Sequence, residues 1–175
     1  ARKGVADATM QDIADEAGIA KGTLYVYFRD RDELLARTAA GAYDRLVADL
    51  DEALSEPGTL EQRLNAVALR QLRFFDQHRE LFRAYMALTQ QRDDGANLRK
   101  PKMAAHARYL ARLERLFTEA RESGELRELD PHEVAAVYAD CMRGMIVRRI
   151  EDKSKTPRED VAALVVSILL RGIHS

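Results

Sequence analysis

At 175 residues, 46% hydrophobic and 33% charged, the chain has room for one large domain or a small domain joined to a larger one, and its composition excludes disorder as the default. The longest apolar run, VAALVVSILL at 161–170, is ten residues, about half the roughly 20 needed to cross a bilayer. With no leader at its start, the chain is expected to be cytoplasmic and to have no membrane partner. The formal net charge is −1, and the first 31 residues balance Arg2, Lys3, Lys21, Arg29 and Arg31 against Asp7, Asp12, Asp15, Glu16 and Asp30. Charge alone therefore does not point to nucleic acid, so any such reading must come from pattern.

Helical signals run nearly end to end, and strand alternation is almost absent, so the expected fold is all-α. Thr9 is a helix N-cap before MQDIADEA, with Met10, Ile13, Ala14 and Ala17 on one face and Asp12 near the positive helix end. Gly18 supplies a left-handed stop, after which Ile19 is expected to re-enter the core. A second short helix, about 20–28, should bury Ala20, Leu24 and Phe28. Asp30 with Glu33 opens a long third helix, RDELLARTAAGAYDRLVADLDEALS, which ends at EPGT, the clearest break in the chain.

Two helical segments follow Thr59, LEQRLNAVALRQLRFFDQH and RELFRAYMALTQQ, then the polar break RDDGAN. A helix is expected from Pro101 to Ser123, closed by Gly124, and another from Asp130-Pro131 to about Ile150. DKSKT reads as a loop, and Pro157 opens the last helix, to about Arg171.

Two short helices joined by a tight glycine turn make a helix-turn-helix, whose second helix can lie in a DNA major groove. If Ala20, Leu24 and Phe28 face inward, Lys21, Gly22 and Tyr25 face outward. Gly22 removes a side chain where a backbone would approach, Thr23 can meet a base edge, and the tyrosine hydroxyls can reach phosphates. Thr9 would bring a second helix start to the DNA backbone, and Gln11 could read a base. Residues 9–35, TMQDIADEAGIAKGTLYVYFRDRDELL, closely resemble the DNA-binding segment of the TetR family of bacterial transcriptional regulators. About 27 residues match in order and spacing; the rest match only in helical layout.

The resemblance implies a homodimeric repressor that binds a palindromic double-stranded DNA operator and is released by a small-molecule inducer. It implies DNA contacts at Lys21, Gly22, Thr23, Tyr25 and Tyr27, and at Arg31 in place of a lysine. Three departures accompany it: Arg31 replaces that lysine and keeps the charge, Ala20 stands where a serine or threonine cap is frequent, which weakens that helix start by about 1 kcal/mol, and the family's first helix should precede Gly4, where only a stub is present. The expected organisation is a helix-turn-helix domain over 1–55, with the long helix shared, and a larger helical ligand-binding and dimerisation domain over 56–175.

Beyond residue 59 there is no hydrolase elbow, no phosphate-cradling glycine loop and no paired metal ligands. His78, His106, His132 and His174 are scattered, so no catalytic residue, metal or cofactor is expected. Cys141, the single cysteine, reads as a small buried hydrophobe. His106 and Tyr109 are candidate polar groups of a pocket lined by Phe75, Tyr85, Met86, Tyr138, Met142 and Met145. An apolar pocket with few charges points to a hydrophobic or amphipathic inducer. The last two helices carry a candidate dimer face: Val137, Asp140, Gly144 and Val147 on one, Val161, Leu164, Val165, Ile168 and Leu169 on the other. The rival readings are a helical carrier or enzyme, which predicts no salt-dependent duplex binding, and a dimeric scaffold, which predicts no cavity.

Overall fold

The computed structural model describes residues 4–5, 7–91 and 95–173, and among them the chain is helical with no strand. The helices are α1 (Met10–Ala17), α2 (Lys21–Tyr27), α3 (Arg31–Ser55), α4 (Leu60–Gln77), α5 (Arg79–Gln91), α6 (Gly95–Glu122), α7 (Pro131–Ile150) and α8 (Arg158–Ile173). The segment before Gly4 and His174 lie outside the described residues.

Local chemistry sets the boundaries. Thr9 and Thr59 open α1 and α4 with reciprocal capping boxes, closed by Asp12 and Gln62. Asp30 accepts from Glu33 N to start α3, and Asp130 accepts from His132 N ahead of Pro131 in α7. Gly18 ends α1 at φ 68°, a left-handed conformation in which its amide returns to Ala14 O and Asp15 O. One boundary departs from expectation. The helix containing Pro101 begins at Gly95, so the proline sits inside α6 with its ring exposed rather than at its first position. Part of the expected RDDGAN break is thus helical, and its residues 92–94 lie outside the described set.

Two apolar clusters divide the chain. The small one is Met10, Ala14 and Leu24, with Ile13, Phe28 and Leu34 packed against it. The large one runs from Ala36 to Leu170 and holds the inner faces of α3 to α8. Helix α3 belongs to both, giving Leu34 to the first and Ala36 onward to the second. In the large unit α3 packs on α4, α5 and α6, α7 packs on α6, and α8 packs on α4 and α7. A helix-turn-helix this small buries little. Ile19 is 41% exposed, and Ala17 and Ala20 also face solvent, against expectation. In the seven-residue α2, Leu24 at its centre is the residue buried against Met10 and Ala14 of α1. Cys141 is exposed too, because α7 turns that side away from α4 and α6.

Candidate DNA interface and ligand cavity

The outer surface of α2 carries the residues singled out from the sequence. Lys21, Gly22 and Thr23 are exposed, Tyr25 is 50% and Tyr27 66% exposed, and Val26 lies beside them. The Lys21 ammonium lies 5.9 Å from the Tyr25 ring centroid. A methyl group added at Gly22 would meet nothing within 4 Å, so the subunit itself does not require glycine there. A glycine inside a helix costs about 0.5–1 kcal/mol.

Three expected DNA contacts are already engaged within the subunit. Thr9 gives its amide (2.8 Å) and hydroxyl (2.6 Å) to Asp12 Oδ2, which leaves it a cap rather than a free group. Gln11 is exposed and donates to Asp15 Oδ1 at 2.7 Å. Arg31 is partly buried and donates to Ala8 O at 2.6 Å and Val5 O at 2.8 Å, which ties the segment before α1 to the start of α3. One residue not anticipated is Arg37. Its guanidinium donates to Tyr27 O at 2.9 Å and lies 4.9 Å from the Phe28 ring, so α3 holds the end of α2 directly.

A cavity of about 170 Å³ lies between α3, α4, α5, α6 and α7. Phe75, Tyr85, Met86, His106 and Tyr109 line it as expected. Tyr138, Met142 and Met145 do not. Tyr138 is fully buried elsewhere in the core, donating to Leu64 O at 2.9 Å, while Met142 is wholly buried and Met145 packs at the core edge. Val147, assigned to the dimer face, lines the cavity instead.

The cavity is not poor in charge. Arg99, Lys102 and Arg143 line it, and no carboxylate does among the described residues. Lys102 is held below the ordinary lysine range by burial and then by the Arg143 charge; its ammonium stands 5.2 Å from the Tyr43 ring centroid and 6.0 Å from that of Tyr85. Arg99 donates to Thr89 O at 2.9 Å, and Arg143 pairs with exposed Asp140 at 3.1 Å. Tyr43 Oη lies 3.0 Å from His106 Nδ1. Burial pushes the Tyr43 hydroxyl up to about 12, and burial followed by the Lys102 charge lowers His106, so both are neutral at pH 7. Deeper in, Gln71 and Tyr109 bring an amide and a phenol to the wall.

On the far side, Val137, Leu164 and Ile168 are exposed apolar residues, with Asp140 and Gly144 exposed beside Val137. Val161, Val165 and Leu169 are buried in the subunit's own core, at 2%, 7% and 8% exposure, because the other face of α8 packs on α4. They are corrected from dimer face to core.

Residues 1–38 match the model for bacterial regulatory proteins of the tetR family. The helix-turn-helix segment is that of the TetR family. The chain is a transcriptional regulator with an all-helical fold and a DNA-binding helix-turn-helix. The regulator is 25% identical over 183 residues to the fatty acid metabolism regulator protein of Bacillus subtilis, covering 100% of this chain and 90% of that one. Its fold is shared with FadR from Bacillus subtilis solved in complex with stearoyl-CoA (TM-score 0.79, 22% identity, 98% of this chain and 91% of that one). It is also shared with PfmR, a TetR-family regulator from Thermus thermophilus (TM-score 0.74, 24% identity, 97% and 91%).

Sequence reasoning about the regulator missed Tyr43, Gln71, Arg99, Lys102 and Arg143 at the cavity. A signal existed for three of them. Arg99, Lys102, His106 and Tyr109 follow one another at three- and four-residue spacing, which places them on one face of α6. Gln71, four residues before Phe75 on α4, carried the same sign, whereas Tyr43 lies on a helix that gave no expected pocket residue.

Proposed function

We propose that the regulator is a homodimeric repressor, released from a palindromic operator when its cavity takes up an amphiphile with an apolar tail and an anionic head. A fatty acid or its coenzyme A thioester has that chemistry. The observation that carries this reading is the charge of the cavity: three cationic side chains around an apolar body, with no acid among the lining residues. Arg99 and Arg143 reach the cavity from the exposed rim, while Lys102 is half-buried and meets no carboxylate among the lining residues; a charge held partly out of water in this way is costly, and an incoming anion offsets that cost. The expectation of a cavity with few charges is thereby revised, while the expected apolar lining stands. The stearoyl-CoA complex of the Bacillus subtilis structure supports the same ligand class.

Size supplies the mechanism. At about 170 Å³ the cavity is comparable to the roughly 150 Å³ engineered hole that takes one benzene. A long tail therefore enters only by spreading α5, α6 and α7. Helix α6 is fastened to α3 by Tyr43–His106 at 3.0 Å, by Arg108–Asp44, and by Arg112–Asp51 at 2.8 Å. Displacing α6 therefore displaces α3, and α3 holds the end of α2 through Arg37. Two recognition helices about 34–36 Å apart fit successive major grooves. Ligand binding then favours a pose of α3 in which that spacing is lost.

The exposed Val137, Leu164 and Ile168 supply the face for the second subunit, and Lys21, Gly22, Thr23, Tyr25 and Tyr27 supply the DNA surface. The test is fluorescence anisotropy with a duplex selected from a random library, using the full chain and Tyr25→Ala. The reading expects salt-dependent binding that weakens at least tenfold in a variant that keeps its fold and dimer. An unchanged affinity removes Tyr25 from the interface, and absence of duplex binding by the unaltered protein ends the proposal.

A further inference from the structure

We propose that the inner end of the cavity is a polar subsite, in which the Gln71 carboxamide and the Tyr109 hydroxyl select amphiphiles that carry a hydroxyl or keto oxygen along the tail. The proposal rests on the ligand class assigned above and narrows it.

Gln71, on α4, is 4% exposed and Tyr109, on α6, is 1% exposed; both line the cavity. Gln71 Oε1 and the Tyr109 hydroxyl oxygen have no hydrogen-bond partner among the described residues. The amide lies beside the phenol without a well-directed bond to it. Turning the amide over does not resolve this, since its oxygen and its NH2 point to opposite sides and one of them stays unmatched. Buried polar atoms in folded proteins are nearly always paired, because losing water without replacement is costly. Leucine and phenylalanine would fill the same two volumes without that cost. A group that arrives with the ligand accounts for both atoms.

The register of α6 gives the subsite its place relative to the anionic head. Lys102 and Tyr109 are seven residues apart on one helix face, roughly 10 Å along the axis at 1.5 Å per residue. A carboxylate held by Arg99, Lys102 and Arg143 thus extends its tail toward Gln71 and Tyr109. Burial keeps the phenol far above its usual range and so protonated, a donor at any physiological pH. The amide adds either a donor or an acceptor. A hydroxyl satisfies both residues at once, a keto oxygen satisfies the donors, and a plain methylene satisfies neither.

The experiment is isothermal titration calorimetry on the full chain with octanoate, ω-hydroxyoctanoate and its mid-chain hydroxy isomers. At least one hydroxyoctanoate is expected to bind about tenfold tighter than octanoate, the ratio that follows from pairing one otherwise unmet buried group. In Gln71→Leu/Tyr109→Phe that preference disappears while octanoate still binds. If the double variant does not fold, Tyr109→Phe alone removes a single oxygen atom and must lower the preference.

Equal affinity of the unaltered protein for octanoate and every hydroxy isomer overturns the subsite and means that water fills it. The ligand class then survives, provided Lys102→Met still weakens octanoate. No binding of any of these carboxylates overturns both readings together.

Discussion

Replacing Lys102 with methionine separates what its ammonium does for the fold from what it does for a ligand. In the unliganded protein the charge sits 5.2 and 6.0 Å from two aromatic centroids, and no carboxylate lines its cavity among the described residues. Ring contacts of that kind contribute about 0.5–1 kcal/mol at a partly exposed site. Burial opposes them, as the lowered proton affinity of Lys102 records. Methionine keeps the length of the stem and lies against Tyr43 and Tyr85 without charge. The unliganded variant should therefore differ in stability by less than about 1 kcal/mol, a balance of these two small effects.

An anionic head gains one charge-assisted hydrogen bond from Lys102, about 1.5–3 kcal/mol. Its loss corresponds to roughly ten- to 150-fold weaker binding. Calorimetric titration with octanoate, paired with thermal unfolding of the unliganded protein, measures both quantities. Lys102→Arg, which keeps the charge, should retain most of the affinity. Unchanged octanoate binding by the methionine variant refutes the reasoning, as does a loss of affinity that merely follows a collapse in melting temperature.

Three further outcomes are expected. His106 is lowered by burial and then by Lys102, so the folded protein binds fewer protons there than the unfolded chain does. Stability then falls as pH drops below the ordinary histidine value of 6.5 toward the folded-state value, and His106→Asn flattens that slope in pH-dependent melts. His132 acts in the opposite sense: its hydrogen bond to Glu114 raises it, so its contribution is full below 6.5 and lost as pH rises through the folded-state value. Leu24→Ala empties the small cluster at a cost of about 2–4 kcal/mol. Hydrogen exchange should show α1 and α2 opening and duplex binding failing while α4 to α8 stay protected, because the large cluster does not contain Leu24. Ile168→Glu places a charge on the 64% exposed apolar face of α8 and should convert a dimer to a monomer in light scattering after gel filtration.

The helical plan was legible because its punctuation is local. Thr9, Asp30 and Asp130 each announce a helix through groups within three residues, and α1, α3 and α7 begin where those caps place them. Pro101 misled because proline is compatible with a first turn and says nothing about whether a helix has already begun. The outward face of α2 was legible for a similar reason. The pattern around Leu24 fixes which side of α2 is inward, so Lys21 and Tyr25 had to face out.

Tertiary choices were less visible. Helix α8 is apolar on more than half its circumference, and nothing in its own sequence tells Val161, Val165 and Leu169, which meet α4, from Leu164 and Ile168, which face solvent. The cavity's cations were absent from the expected lining because a lysine or arginine on an amphipathic helix normally faces solvent. Only the approach of α3, α4 and α7 turns Lys102 into the wall of an apolar space. Thr9 was assigned to DNA from its place at a helix start and Arg31 by resemblance, and their engagement by Asp12 and by the carbonyls of Val5 and Ala8 appears only with coordinates.

The most direct test of the account is release of DNA by ligand. The full chain is bound to a fluorescent duplex carrying its selected palindrome, and dodecanoate, dodecanoyl-CoA and dodecanol are titrated in while anisotropy is followed. The two anionic amphiphiles are expected to free the duplex, at concentrations at least tenfold higher for Lys102→Met, and the uncharged alcohol is expected to leave it bound. A duplex that stays bound through saturating dodecanoate and dodecanoyl-CoA, or one that dodecanol frees equally well, contradicts the claim that an anion in this cavity controls the helix-turn-helix.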